Sequence, residues 1–203
     1  MYYVEYYPYV HCTQLRYSVH QMKPSLVIIG LGNPGSGHER TRHNLGFKAI
    51  DHLSKEFGEG KWQDKQKFLS VMQEGRIVTA PILLVKPQTY MNRSGEAVRK
   101  LVDFYKLDSK NQIIILCDDV DLPLGEIRFR KNGGPGTHNG LKSIVEVLGE
   151  DFPRLRIGVG THPAGADLAA WVLSAPSTEE EKVYEQILKS LPEKIRSIVV
   201  EGE

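Results

Sequence analysis

The chain has 203 residues, 40% of them hydrophobic and 25% charged, with a net charge of +1. That size fits one domain with a full core, and the balance excludes disordered and fibrous classes. Two cysteines, Cys12 and Cys117, cannot build a disulfide framework, and no apolar run reaches the ~18 residues of a membrane span, so a reducing, cytoplasmic setting is the simplest expectation.

Residues 1–21 hold six tyrosines but no apolar run ahead of a small-residue cleavage site, so they do not read as a secretory signal. They are expected to form an N-terminal extension, loose or not native, with Met22 as the natural start and residues 22–203 as the folded domain. The other reading packs their aromatics on the body as an added strand.

Leu26-Val27-Ile28-Ile29, ending at Gly30, reads as a buried strand. A polar, glycine-rich loop follows. Leu45, Ala49, Ile50, Leu53 and Phe57 then recur at helical spacing over residues 44–57. Short strands are predicted at 68–73, 76–79 and 82–85, with Glu74-Gly75 as a turn and Pro87 ending the third. Residues 94–105 read as a helix with Ser94 as a possible N-cap. Ile113–Leu116 is another buried strand, with Cys117-Asp118-Asp119 at its C-terminal end. An alternating edge strand at 126–130, a helix at 141–148, a strand at 155–159 and a charged amphipathic helix at 179–198 complete the chain. The alternation predicts an α/β fold: one domain with a twisted mixed, mostly parallel β-sheet flanked by helices.

Gly30-Leu31-Gly32-Asn33-Pro34-Gly35 fits G-x-G-x-x-G after a strand. A dinucleotide site would need a helix N-terminus at the third glycine. Here the helix starts about nine residues late, and the acidic partner would be Asp51, inside a helix. A tight turn without a ligand is a second reading. The third is a loop whose glycines free the backbone to present Asn33. His43 sits in the same loop at a strand's C-terminal side, where α/β sites gather. A lone histidine is usually structural or exposed, but the ordinary imidazole value near 6.5 suits a general base. Asp118, from another strand end, could orient its ring.

Asn33, Asn92 and Asn139 all fall in loops beside strand ends, where amides could grip carbonyls or a water; Asn92 could equally be a helix cap. Residues 132–140 form a second glycine-rich loop that enters a helix. Arg128, Arg130 and Lys131 precede it, and Arg154 and Arg156 alternate on a later strand, either as a solvated face or as a phosphate grip. No serine stands in a nucleophile elbow, and Cys117 reads as a core residue. His43, Asp118 and His138 match no common metal-ligand spacing, so no metal is expected. Residues 22–160 carry 21 lysines and arginines against 16 acids, whereas residues 161–203 carry four against eight. The basic excess lies with the candidate site, the pattern expected for a polyanionic substrate.

Taken in order, Leu31-Gly-Asn-Pro-Gly35, Thr41-Arg-His-Asn44, Lys86-Pro87 to Met91-Asn-Arg-Ser-Gly95, Asp118-Asp-Val-Asp-Leu-Pro123, His138-Asn-Gly-Leu-Lys142 and Arg154-Leu-Arg-Ile-Gly158 closely resemble the bacterial peptidyl-tRNA hydrolase family over residues 25–198. The resemblance implies a peptidyl-tRNA hydrolase / phosphorylase-hydrolase-like fold, with residues 22–203 as the catalytic domain. It also implies a monomeric enzyme that needs no cofactor and forms no covalent intermediate. Its reaction would be hydrolysis of the ester joining peptide to the tRNA 3′ end, which recycles peptidyl-tRNA from stalled ribosomes. It places His43 as the base, Asp118 as its orienting carboxylate, and Asn33, His38, Tyr90, Asn92, His138 and Asn139 along the substrate cleft. Arg130 and Arg156 match a clamp for the tRNA 5′-phosphate. The sequence departs from the family at His38 (usually tyrosine), at Pro135 and Thr137 (usually small), in a lid stretch at 161–165 without lysines, and in an acidic C-terminus. The alternative function is a catalytically inactive RNA-binding relative of the same fold.

Overall fold

The computed structural model describes residues 23–163 and 165–201; the predicted extension over 1–21 lies outside them. In chain order the elements are β1 (Leu26–Gly30), α1 (Leu45–Phe57), β2 (Gly58–Lys65), β3 (Ser70–Ile77), β4 (Ala80–Pro87), α2 (Ser94–Tyr105), β5 (Ile113–Asp119), β6 (Ile127–Arg130), α3 (Asn139–Leu148), β7 (Arg154–Gly158), α4 (Leu168–Val172) and α5 (Thr178–Glu201). The strands form one sheet in the order β2-β3-β4-β1-β5-β7-β6. The central strands β4, β1, β5 and β7 are parallel, and the edges β2–β3 and β6 are antiparallel. The α/β class with a mixed sheet is as predicted.

Alternation along each strand builds the two apolar layers. Ile28 of β1, Leu84 of β4 and Leu116 of β5 pack beneath α1 and α5. Val27, Ile29, Val85 and Ile115 pack beneath α2 and α3. Both faces of the parallel centre are therefore covered, which is why β1 and β5 read as continuous apolar runs.

The predicted turn at Glu74-Gly75 is not there. β3 runs unbroken from Ser70 to Ile77, and Gly75 pairs with Gly58 on one side and Ile82 on the other. A Cβ on Gly75 would lie 2.5 Å from the Phe57 carbonyl oxygen. This glycine thus lets α1 end tightly against the sheet, and the chain reverses after Ile77. Ser94 is not the N-cap of α2; it is the first helical residue, and its buried Oγ donates to the Met91 carbonyl. Strand β2 was not predicted because its residues are mostly exposed and polar, leaving no apolar alternation to read. No helix among the described residues is long and apolar enough to cross a membrane.

Candidate active site

The site lies beyond the C-terminal ends of β1, β4 and β5, where an open α/β sheet places its ligands. The loop after β1 ends in a 3-10 turn, Arg42–Asn44, that carries His43 into the cleft. Asp118 is near the end of β5. The His43 Nδ1 lies 3.0 Å from both Asp118 carboxylate oxygens. Both residues are buried. The carboxylate accepts a hydrogen bond from Nδ1–H, which leaves the Nε2 lone pair for a proton.

His138 completes this arrangement. It is the N-cap of α3, and its Nδ1 accepts the backbone N–H groups of Gly140 and Leu141. Two donors at Nδ1 assign the ring hydrogen to Nε2, which lies 3.1 Å from Asp118 Oδ1 and donates to it. The His43, Asp118 and His138 donor atoms cluster within 4.8 Å, a grouping that looks like a metal site. The proton positions argue otherwise. With Nδ1 occupied by two amide donors and Nε2 protonated, His138 has no lone pair to give a cation.

Burial alone would discourage charge on Asp118, but the positive charge of a protonated His43 and the hydrogen bonds from both imidazoles outweigh it and hold the carboxyl well below the usual range. Burial likewise works against a charged His43; the adjacent Asp118 charge and its hydrogen bond prevail, and the imidazole lies above 6.5. Cys117 is fully buried, and burial pushes its thiol far up, so it is no nucleophile.

Asn33 is braced on three sides. Asn44 accepts its backbone N–H and donates to its carbonyl, at 2.8 and 2.9 Å. Its own Oδ1 accepts the Met91 N–H at 2.7 Å. With that oxygen committed, Asn33 has only its Nδ2 hydrogens to offer the cleft. Two hollows meet at His43. A hollow of about 560 Å³ passes Asn33, His38, Tyr90 and Asn92. A second, of about 270 Å³, reaches Asp119, Thr137 and Arg156. Asn139 and the α4 residues Ala169 and Val172 line both. Tyr90, Asn92 and Asn139 are exposed and His38 half-buried, so the structure brings all of these predicted cleft residues to one mouth.

The β6–β7 register sets Arg128 opposite Arg156 and Arg130 opposite Arg154, so all four arginines share one face. Their duties differ. Arg154 is buried and donates to the carbonyls of Gly133, Gly134, Glu150 and Phe152, bracing the second glycine-rich loop rather than facing a phosphate. Arg156 Nε lies 2.8 Å from buried Asp119 in a charge contact. Arg130 is exposed and makes no ion pair or hydrogen bond among the described residues. Sequence reasoning missed the bracing roles of Asn44, Arg42 and Arg154, because a brace is defined by partners distant in the chain.

Comparison with known proteins gives the family and the fold. The family model described as "Peptidyl-tRNA hydrolase" matches residues 27–203. A peptidyl-tRNA hydrolase of Chloroflexus aggregans is 44% identical over 177 residues, covering 87% of this chain and 93% of that protein. One from Carboxydothermus hydrogenoformans is 46% identical over 177 residues, covering 87% and 92%. The crystal structure of peptidyl-tRNA hydrolase from Acinetobacter baumannii superposes with a TM-score of 0.81 at 35% identity, covering 88% of this chain and 90% of that one. With a fold and a sequence that match over most of their length, the chain belongs to the peptidyl-tRNA hydrolase family.

Proposed function

We propose that His43 is the general base of a peptidyl-tRNA ester hydrolase, and that Asp118 orients it. The single observation that carries this reading is the His43 Nδ1–Asp118 contact at 3.0 Å, which leaves Nε2 free. His43 Nε2 takes a proton from water, whose oxygen attacks the ester carbonyl carbon. The Asn33 Nδ2 hydrogens, held by the Met91 bond, donate to the carbonyl oxygen as it gains charge. The carbon–oxygen bond to the ribose then breaks, and the imidazolium returns its proton to the leaving ribose oxygen. An ester has a good leaving group, so one oriented base and a few amide donors suffice without a covalent step.

The larger hollow, with Asn33, His38, Tyr90 and Asn92, takes the peptide. Asparagine amides grip main-chain groups, which accounts for tolerance of many peptide sequences. The smaller hollow leads to Arg156 and takes the 3′ nucleoside. His138 holds Asp118 from behind, and Asn139, at the junction of the two hollows, holds the attacking water. Arg130 and Arg156 grip the 5′-phosphate, and the enzyme works as a cytoplasmic monomer. An inactive RNA-binding relative would have no use for a base so carefully held.

Purified protein should release peptide from peptidyl-tRNA without added metal and in the presence of EDTA. RNA binding without release would sink the hydrolase reading. Replacing Arg130 and Arg156 with alanine should weaken tRNA binding and reduce the steepness of its salt dependence by about one unit per arginine. An unchanged slope on titration of salt would remove both from the phosphate grip.

A further inference from the structure

Arg42, the residue before the base, is buried although it is an arginine. A buried guanidinium must be fully engaged, and its partners all come from one place. Nε and Nη2 meet the Glu180 carboxylate at 3.3 and 2.7 Å. Nη1 donates to the Ser174 Oγ at 2.6 Å and to the Ala175 carbonyl at 2.9 Å, with longer bonds to the carbonyls of Trp171 and Ser174. The guanidinium carbon sits 4.7 Å from the centre of the Trp171 ring. The Arg42 backbone N–H also donates to the Ser174 carbonyl.

These partners are the C-terminal end of α4, the loop that follows it and the first turn of α5. α4 is the wall shared by both hollows, through Ala169 and Val172. Glu180 also closes a capping box at the start of α5, accepting the Ser177 N–H at 2.6 Å while Ser177 Oγ accepts the Glu180 N–H. Helix α4 has only five residues, too few to hold a position by its own hydrogen bonds.

We propose that Arg42 is a positioning residue that latches the α4 wall over the cleft, fixing the spacing between that wall and His43 and so setting substrate affinity on both sides of the scissile ester. The proposal rests on the reading of His43 as the base. It assigns Arg42 to binding rather than to proton transfer, because its charge is spent on Glu180 and its remaining hydrogens on the Ser174 hydroxyl and on main-chain carbonyls.

The test uses two conservative variants. Arg42→Lys keeps the charge but loses the planar fork, and Glu180→Gln keeps the capping box while removing the ion pair. At a temperature where circular dichroism shows both folded, Arg42→Lys should raise KM about tenfold with kcat within about twofold, and leave the acid limb of the pH–rate profile in place. Glu180→Gln should change KM in the same direction, and the double variant should be no worse than Arg42→Lys alone, since both act through one contact. Amide exchange in Leu168–Val172 should quicken in Arg42→Lys while β1 and β5 stay protected. An unchanged KM in folded Arg42→Lys, a loss confined to kcat, or additive effects in the double variant would overturn the latch. Wild-type protein that released no peptide would overturn the reading of the base instead, and exchange in α4 would still decide whether Arg42 holds the wall.

Discussion

His43→Ala should lose about 10²–10⁴-fold in kcat, the usual worth of a general base, while tRNA binding stays close to wild type. The reasoning is geometric. Arg156 lines the smaller hollow and pairs with Asp119, and Arg130 sits on β6 opposite Arg154, so neither depends on the imidazole that is removed. The amide of Asn33 also stays braced, because its three bonds involve Asn44 and Met91 and not His43. Only the acceptor for the water proton disappears. The alanine variant does leave buried Asp118 with one imidazole in place of two, which threatens the fold. His43→Asn is therefore the companion, since its amide can still donate to the carboxylate while offering no base of comparable strength. Single-turnover peptide release and tRNA binding, measured on both variants, settle the matter. Turnover near wild type in either folded variant would exclude His43 as the base.

Much of this was legible in the letters, for a physical reason. β1 and β5 are buried on both faces, so each reads as an unbroken apolar run, and the residues just beyond their ends are the ones an α/β sheet presents to a ligand. That rule brings forward Asp118 at a strand end and His43 in a loop leading from another as candidates, and only the structure sets their side chains 3.0 Å apart. The first glycine-rich loop was ambiguous because a glycine has several uses. The structure shows which applies: a Cβ on Gly30 would lie 2.2 Å from the Gly46 carbonyl oxygen, so Gly30 serves close packing of α1 on β1, and Gly35 takes a left-handed φ of +96°. Neither stands at a helix N-terminus, since α1 begins only at Leu45. The dinucleotide geometry is therefore missing.

What the letters hid was partnership. Arg154 and Arg156 are two residues apart on one strand face, yet Arg154 is spent on four carbonyls and Arg156 meets Asp119 and opens onto the cleft. Spacing alone gives both the same reading. His138 read as a residue bordering the cleft, yet its ring caps α3 on one side and holds Asp118 on the other. β2 and α4 were invisible for a simpler reason: an exposed polar edge strand and a five-residue helix carry too little periodicity to detect.

The fixed ring of His138 makes the outcome of Asp118→Asn unusually definite. Oδ1 of Asp118 accepts from both imidazoles. His138 cannot reverse its donor, because two backbone N–H groups occupy its Nδ1. The carbonyl oxygen of an asparagine at this position must therefore turn toward His138, which aims its NH₂ group at His43. An amide donor there favours the His43 tautomer with its hydrogen on Nε2, and that is the atom from which the lone pair is needed. We expect kcat to fall roughly 10³–10⁴-fold with binding retained, the scale seen when an orienting carboxylate is made an amide. The pH behaviour separates this from simple unfolding. In the wild type Asp118 raises His43, so the acid limb of kcat/KM is expected above pH 6.5. Without that charge, burial alone remains, and the limb of the residual activity should move to lower pH. Stability runs the opposite way. The raised imidazole contributes stability that is full below 6.5 and lost as pH climbs through its folded value, whereas the depressed carboxyl contributes above 3.8 and loses it only in strong acid. The ion pair therefore supports the fold most between those values, while turnover appears only as that support fades. Thermal melts across pH 4–8 should show this decline in the wild type and a flatter profile in Asp118→Asn. A variant whose acid limb stayed in place, or whose melting curve kept the wild-type slope, would break the assignment of Asp118 as the group that steers His43.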